Sequence, residues 1–85
     1  MNRYRVGVHI VPRRGILDPQ GRTVAEALHA LGFGGVADAR IGKHVMLDVD
    51  AASEREAASA VEQMCERLLA NPVTEDYEIA TVGAL

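Results

Sequence analysis

The sequence predicts an α+β fold in which an antiparallel sheet carries two helices. Three observations lead there. Short stretches alternate apolar and polar residues, two longer stretches repeat apolar residues at helical spacing, and proline, glycine or capping residues stand at the joints. The length, 85 residues, admits a single domain spanning 1–85.

The first element is RYRVGVHIV, residues 3–11, with Tyr4, Val6, Val8 and Ile10 on one face and Arg3, Arg5, Gly7 and His9 on the other. That alternation is a half-buried strand, and Pro12 closes it. The stretch LDPQGRTVAEALHALGF, residues 17–33, then changes period, with Val24, Ala27, Leu28 and Leu31 on one helical stripe. Asp18 is a good cap, Pro19 suits the first helical position, and Gly32 supplies the stop. VADARIGKHVMLDVD, residues 36–50, reads as two strands about a Gly42-Lys43 turn, or as one long bent strand with a bulge at Ile41-Gly42.

Ser53 and Glu56 form a capping-box pair ahead of a second helix. Its predicted stripe is Ala57, Val61, Met64 and Leu68, flanked by Cys65 and Leu69. Asn71-Pro72 ends it, because the residue before a proline is pushed out of helical geometry. DYEIATV closes the chain's regular structure, with Tyr77, Ile79 and Thr81 on one face. The order is β-α-β-β-α-β, ferredoxin-like, with both helices on one face of the sheet. The other face would present Arg5, His9, Val11, His44, Met46, Asp48, Ala80 and Val82, a half-apolar surface suited to a subunit interface.

Composition narrows the function. A net charge of −3 gives no general attraction to nucleic acid or anionic membrane. Three aromatic residues, Tyr4, Phe33 and Tyr77, cannot build a base-stacking platform. One cysteine leaves no internal disulfide and no zinc pattern, and no apolar run reads as a signal peptide or a membrane span. A cytoplasmic, self-associating protein is expected, since a chain this short builds only a thin core.

Candidate chemistry is sparse. His9, His29 and His44 lack the partners that would complete a tetrahedral metal set, so no metal is expected. Cys65 lies in an apolar helical stripe, where a thiol packs and does not attack. Glu75 and Asp76 lack the cleft that acid–base work needs. GFGG, residues 32–35, follows a helix and so is placed wrongly for a phosphate cradle. No catalytic residue is expected in this chain.

LDPQG with V-x-x-A-L-x-x-L-G behind it, then ARIGKHVMLDV, then MCERLLANPVTEDYEI, closely resembles the PurS family, from the first strand to Ile79. PurS is the small subunit of phosphoribosylformylglycinamidine (FGAM) synthase. The resemblance implies a role in purine biosynthesis, where formylglycinamide ribonucleotide, glutamine and ATP give formylglycinamidine ribonucleotide. It implies partners, a synthetase subunit (PurL) and a glutaminase subunit (PurQ), with dimers or tetramers of the small subunit joining them and aiding ammonia transfer. ATP and Mg would belong to the complex, with no cofactor on this chain.

The candidate contact surfaces are then three. The corner Asp18, Pro19, Gln20 and Gly21 combines a rigid φ, a flexible amide and an unobstructed backbone. Arg40, Gly42 and Lys43 form a cationic tip, and Asn71 with Pro72 sets where Glu75, Asp76 and Tyr77 emerge. The chief alternative is a regulatory domain of the same topology that binds an amino acid at a dimer interface. An RNA-binding domain is disfavoured by charge and by the missing strand aromatics. A small phosphatase has only Arg13-Arg14-Gly15 to recommend it.

Overall fold

The computed structural model describes residues 1–15 and 18–85, so Leu17, the first residue of the LDPQG motif, lies outside the described residues. Strand β1 (Asn2–Pro12) is central, flanked by β2 (Lys43–Ala51) and β3 (Glu75–Ala84) in the order β2-β1-β3. Both pairings are antiparallel, running from Asn2↔Ala51 to Ile10↔Lys43 on one side and from Tyr4↔Ala84 to Pro12↔Glu75 on the other. Helix α1 spans Pro19–Ala30 and α2 spans Glu54–Met64.

The period-2 pattern of β1 decides where the core lies. Tyr4, Val6, Val8 and Ile10 face α2, and the last three are fully buried. Each such valine or isoleucine contributes about 1.5–3 kcal/mol relative to an exposed position. From α2 the buried residues are Ala57 and Val61, and Cys65 just beyond its end continues the i, i+4 series that Leu69 extends. This corrects the expected stripe: Met64 is 37% exposed and Leu68 83% exposed. The cause is the end of the helix. Cys65–Leu69 form a π-helical turn closed by the Ala70 N–H to the Cys65 carbonyl at 3.0 Å, and the wider turn swings Leu68 outward.

The predicted class, an antiparallel sheet with two helices, stands, but the order of elements along the chain is β-α-β-α-β, one strand fewer than expected. Residues 36–42 form no strand, so neither the hairpin nor the long bent strand over 36–50 is seen, and a single strand begins at Lys43. The Gly42-Lys43 pair is a strand entry, not a turn. A second correction comes from the register shift between Gly7 and Val8. There Thr81 pairs with Gly7 and Ile79 with Val8, leaving Ala80 as the extra residue of a bulge. Alternation therefore flips: Tyr77, Ile79 and Val82 line the core, while Thr81 joins the open face.

Helix α1 is well capped yet stands away from the sheet: among the described residues the helical part of the core comes from α2 and the turn that ends it. Gly32 at φ 99° turns its C-terminus, and the Phe33 N–H returns to the Leu28 carbonyl at 3.0 Å. Within α1 only Gly21 is buried, and Leu31 remains 74% exposed. The radius of gyration is 16.1 Å. A compact chain of this length would have about 12 Å. The open sheet face carries ion pairs Arg3–Asp50 at 2.8 Å and Arg5–Asp48 at 2.9 Å. Such exposed pairs add little stability but favour one register.

Candidate functional site

The first candidate corner is built on one carboxylate. Asp18 caps α1 by accepting the Gly21 N–H at 3.0 Å on one oxygen, and it accepts the Ile41 N–H at 2.8 Å on the other. The amide of Gly21 first, and that of Ile41 second, hold its pKa below the usual carboxylate value. One side chain thus ties the start of α1 to the RIGK segment, 23 residues further along. The tie requires a glycine. A Cβ on Gly21 would land on the Ala39 carbonyl oxygen and 2.5 Å from the second Asp18 oxygen. Gly42 is pressed in the same way against the Ile10 carbonyl. Pro19 and Gln20 are left exposed on the outside of this corner.

Arg40 and Lys43 do not make the expected two-cation tip. Arg40 folds back, donating from Nη1 to the Pro12 carbonyl at 3.2 Å, with Asp38 at 3.9 Å. Lys43 is exposed at the start of β2. An open cleft of about 690 Å³ lies beside them, where Arg13, Arg14, Arg22 and Arg40 face Asp18, Glu26 and Asp38. Its charge is mixed, and Arg22 is already paired with Glu26 at 3.2 Å.

The second corner, residues 71–77, is a closed hydrogen-bonded turn. Asn71 Oδ1 accepts the Val73 N–H at 2.9 Å, and the Asn71 carbonyl accepts the Glu75 N–H at 2.8 Å. The Glu75 carboxylate turns inward to accept the Asn71 N–H at 2.7 Å, so it caps the turn from within. Asp76 points outward and pairs with Arg13 at 3.1 Å. The Tyr77 hydroxyl donates to Glu66 at 3.2 Å, and burial, followed by that carboxylate, pushes its pKa up.

The two corners lie at one end of the molecule, because both are anchored to consecutive residues of β1's exit. Pro12 receives Arg40, while Arg13 N–H donates to the Thr74 carbonyl at 2.9 Å and Arg13 Nη2 to the Pro72 carbonyl at 2.8 Å. The candidate residues thus form one surface and not three patches. Arg13 is the member that sequence reasoning missed. A basic residue directly after a strand-ending proline was the available signal, and it pointed to a phosphate loop as readily as to a clamp.

Among the described residues nothing reactive is assembled on this surface. Cys65 is fully buried, and burial pushes its thiol pKa up, away from the thiolate a nucleophile needs. His29 is bonded to the Val36 carbonyl at 2.6 Å, and His9 and His44 face each other across the open sheet at 3.1 Å between Nδ1 atoms. Among the described residues no group of three or more His, Cys, Asp or Glu could hold a metal ion. Among the described residues no helix is long and apolar enough to cross a membrane.

The family model for PurS, phosphoribosylformylglycinamidine (FGAM) synthase, matches residues 5–83. The chain belongs to the PurS family. It is 45% identical over 74 residues to the phosphoribosylformylglycinamidine synthase subunit PurS of Bacillus subtilis, covering 87% of each chain. To the PurS subunit of Methanocaldococcus jannaschii it is 41% identical over 76 residues, covering 89% of this chain and 92% of that one. Solved structures agree. Thermus thermophilus PurS superposes with a TM-score of 0.86 at 38% identity, covering 98% of both chains. The structure of PurLQS from Thermotoga maritima contains a chain that matches over 100% of both lengths, with a TM-score of 0.82 at 33% identity. The match to PurS therefore includes α1 in its detached position as well as the sheet.

Proposed function

We propose that this chain is the small subunit of an FGAM synthase, joining a synthetase and a glutaminase subunit so that ammonia passes between their sites. The observation that carries this reading is the single end surface made by DPQG, ARIGK and NPVTED. It is rigidly built and contains no reactive group. Sequence kinship to PurS subunits and the likeness to the chain in PurLQS of Thermotoga maritima support it. ATP and Mg are then needs of the complex, met by the synthetase, and this chain binds neither. Its place is the cytoplasm, with the rest of the pathway.

Self-association belongs to the same reading. A chain with a radius of gyration of 16.1 Å, and with Val24 and Leu31 of α1 uncovered, has apolar surface that a second copy would bury. The thin monomer core makes that burial worth having.

The test reconstitutes the complex from separate subunits and compares glutamine with free ammonia as nitrogen donor. Gln20→Ala combined with Lys43→Ala removes two exposed side chains from the surface without touching its internal bonds. The expected result is a folded subunit that supports the glutamine-dependent reaction only at raised concentration, with the ammonia-dependent rate nearly unchanged. Equal loss of both rates would mean that the subunit shapes the synthetase site, and no loss in either would remove these corners from the interface.

A further inference from the structure

We infer that Arg13 is the positioning residue of the 71–77 corner, the group that fixes its direction for docking onto the partner subunits. This rests on the proposed reading of that corner as a contact surface. The far end of the corner is held by the pairing of β3 with β1 from Glu75 onward and by the Tyr77 hydroxyl on Glu66. The remaining bonds are local: Asn71 Oδ1 to the Val73 N–H, Glu75 to the Asn71 N–H, and the Asn71 carbonyl to the Thr74 and Glu75 amides. Those local bonds shape the turn at residues 71–75 but do not aim it. Arg13 ties that turn to the end of β1. Its backbone N–H meets Thr74 at 2.9 Å, its Nη2 meets the Pro72 carbonyl at 2.8 Å, and its Nε meets Asp76 at 3.1 Å. The guanidinium's planar fork lets one side chain hold a carbonyl before the strand and a carboxylate on it, which a point-charge ammonium does less well. The neighbouring Arg40 ties the other corner to Pro12, so residues 12 and 13 together set the angle between the two halves of the surface.

The experiment uses the full chain with Arg13→Ala, Arg13→Lys and Asp76→Asn. Amide hydrogen exchange is followed at Val73, Thr74 and Glu75, with Val6 and Val8 of the sheet as the internal control. Loss of an exposed ion pair and one side-chain bond should raise exchange at the corner about tenfold in Arg13→Ala, leaving the sheet amides unchanged. Arg13→Lys should fall between Arg13→Ala and the parent chain. In reconstituted complex the subunit concentration giving half-maximal glutamine-dependent rate should rise, by up to about tenfold, the limit reached when the corner is mostly open in the variant, because docking draws only on the closed fraction. The rate at saturating subunit should not move, which separates positioning from chemistry. Unchanged exchange at residues 73–75 would overturn the inference. Raised exchange with unchanged half-saturation would overturn it too. In that event Gln20→Ala with Lys43→Ala decides the wider reading, which stands if that variant shifts half-saturation and falls if it does not. Should Arg13→Ala fail to fold, Asp76→Asn and Arg13→Lys carry the same comparison.

Discussion

Gly21→Ala is the sharpest test of how the first corner is held. On propensity alone the change should help, because Gly21 is the third residue of α1 and alanine in a helix is better than glycine by about 0.5–1 kcal/mol. The structure argues the reverse. The added methyl would sit on the Ala39 carbonyl and 2.5 Å from the Asp18 carboxylate. Ala39 is backbone, held in place by the neighbouring Ile41 N–H bond to Asp18, so the relief must come from moving the RIGK segment off the helix. Overpacking of this kind costs about 1–3 kcal/mol. Net of the helical gain, the variant should lose about 1–2 kcal/mol, which for a domain of this size lowers the Tm by roughly 5–15 °C. Thermal unfolding followed by circular dichroism reads this directly. Gly34→Ala, where nothing lies within 4 Å of the new methyl, serves as the control and should stay within about 2 °C. A Gly21→Ala chain as stable as the parent, or more so, would refute the close approach of Ala39 and with it the claim that Asp18 joins the two motifs.

Val61→Ala should cost about 2 kcal/mol in denaturant unfolding while Leu68→Ala stays within about 0.5 kcal/mol, because only the first lies in the core. Cys65→Ser should lose about 1–3 kcal/mol through a buried hydroxyl, yet saturating amounts should support full complex activity. The depressed pKa of Asp18 favours the folded state above the ordinary carboxylate value of 3.8, an advantage lost as pH falls through the lower folded pKa. Asp18→Asn should therefore be less stable than the parent at pH 7, with the gap closing in urea titrations below about pH 4. Light scattering with gel filtration should show a dimer or larger at micromolar concentration. A particle of one chain mass at every concentration would refute the assignment of α1's apolar stripe to a second copy.

How much was legible follows from how local each signal is. As helix starts and stops, Asp18, Pro19, Gly32 and Ser53 act within four residues of themselves, and the caps lie where the sequence puts them: Asp18 accepts the Gly21 N–H and Ser53 the Glu56 N–H at 3.2 Å. The β1 alternation was equally readable because it needs no partner to define it. The failures are non-local. Residues 36–42 have strand-like composition, but the Ile41 amide is taken by Asp18 and the Ala39 carbonyl lies against Gly21, groups some twenty positions away. The Ala80 bulge depends on how β3 meets Gly7, where a side chain would collide with Thr81 Oγ1 at 2.7 Å, and nothing within DYEIATV announces it. In the candidate site, the corner residues were found by motif, whereas Arg13 was not, since its three partners lie about sixty residues downstream.

Helix α1 carries this argument furthest. Its periodicity, cap and stop are all correct in the sequence, yet among the described residues none of its apolar stripe joins the core packed on the sheet. A stripe with the right spacing and no intramolecular partner would be a defect in a monomer, costing solubility for no gain in core. The helix's first stripe residue, Val24, borders a shallow apolar hollow with Pro19, Gln20, Thr23 and Ile41, beside the first corner. On the proposed reading, the residues that fail to complete this chain's own core would be the ones to complete another's, and a subunit that joins other chains has reason to keep them exposed.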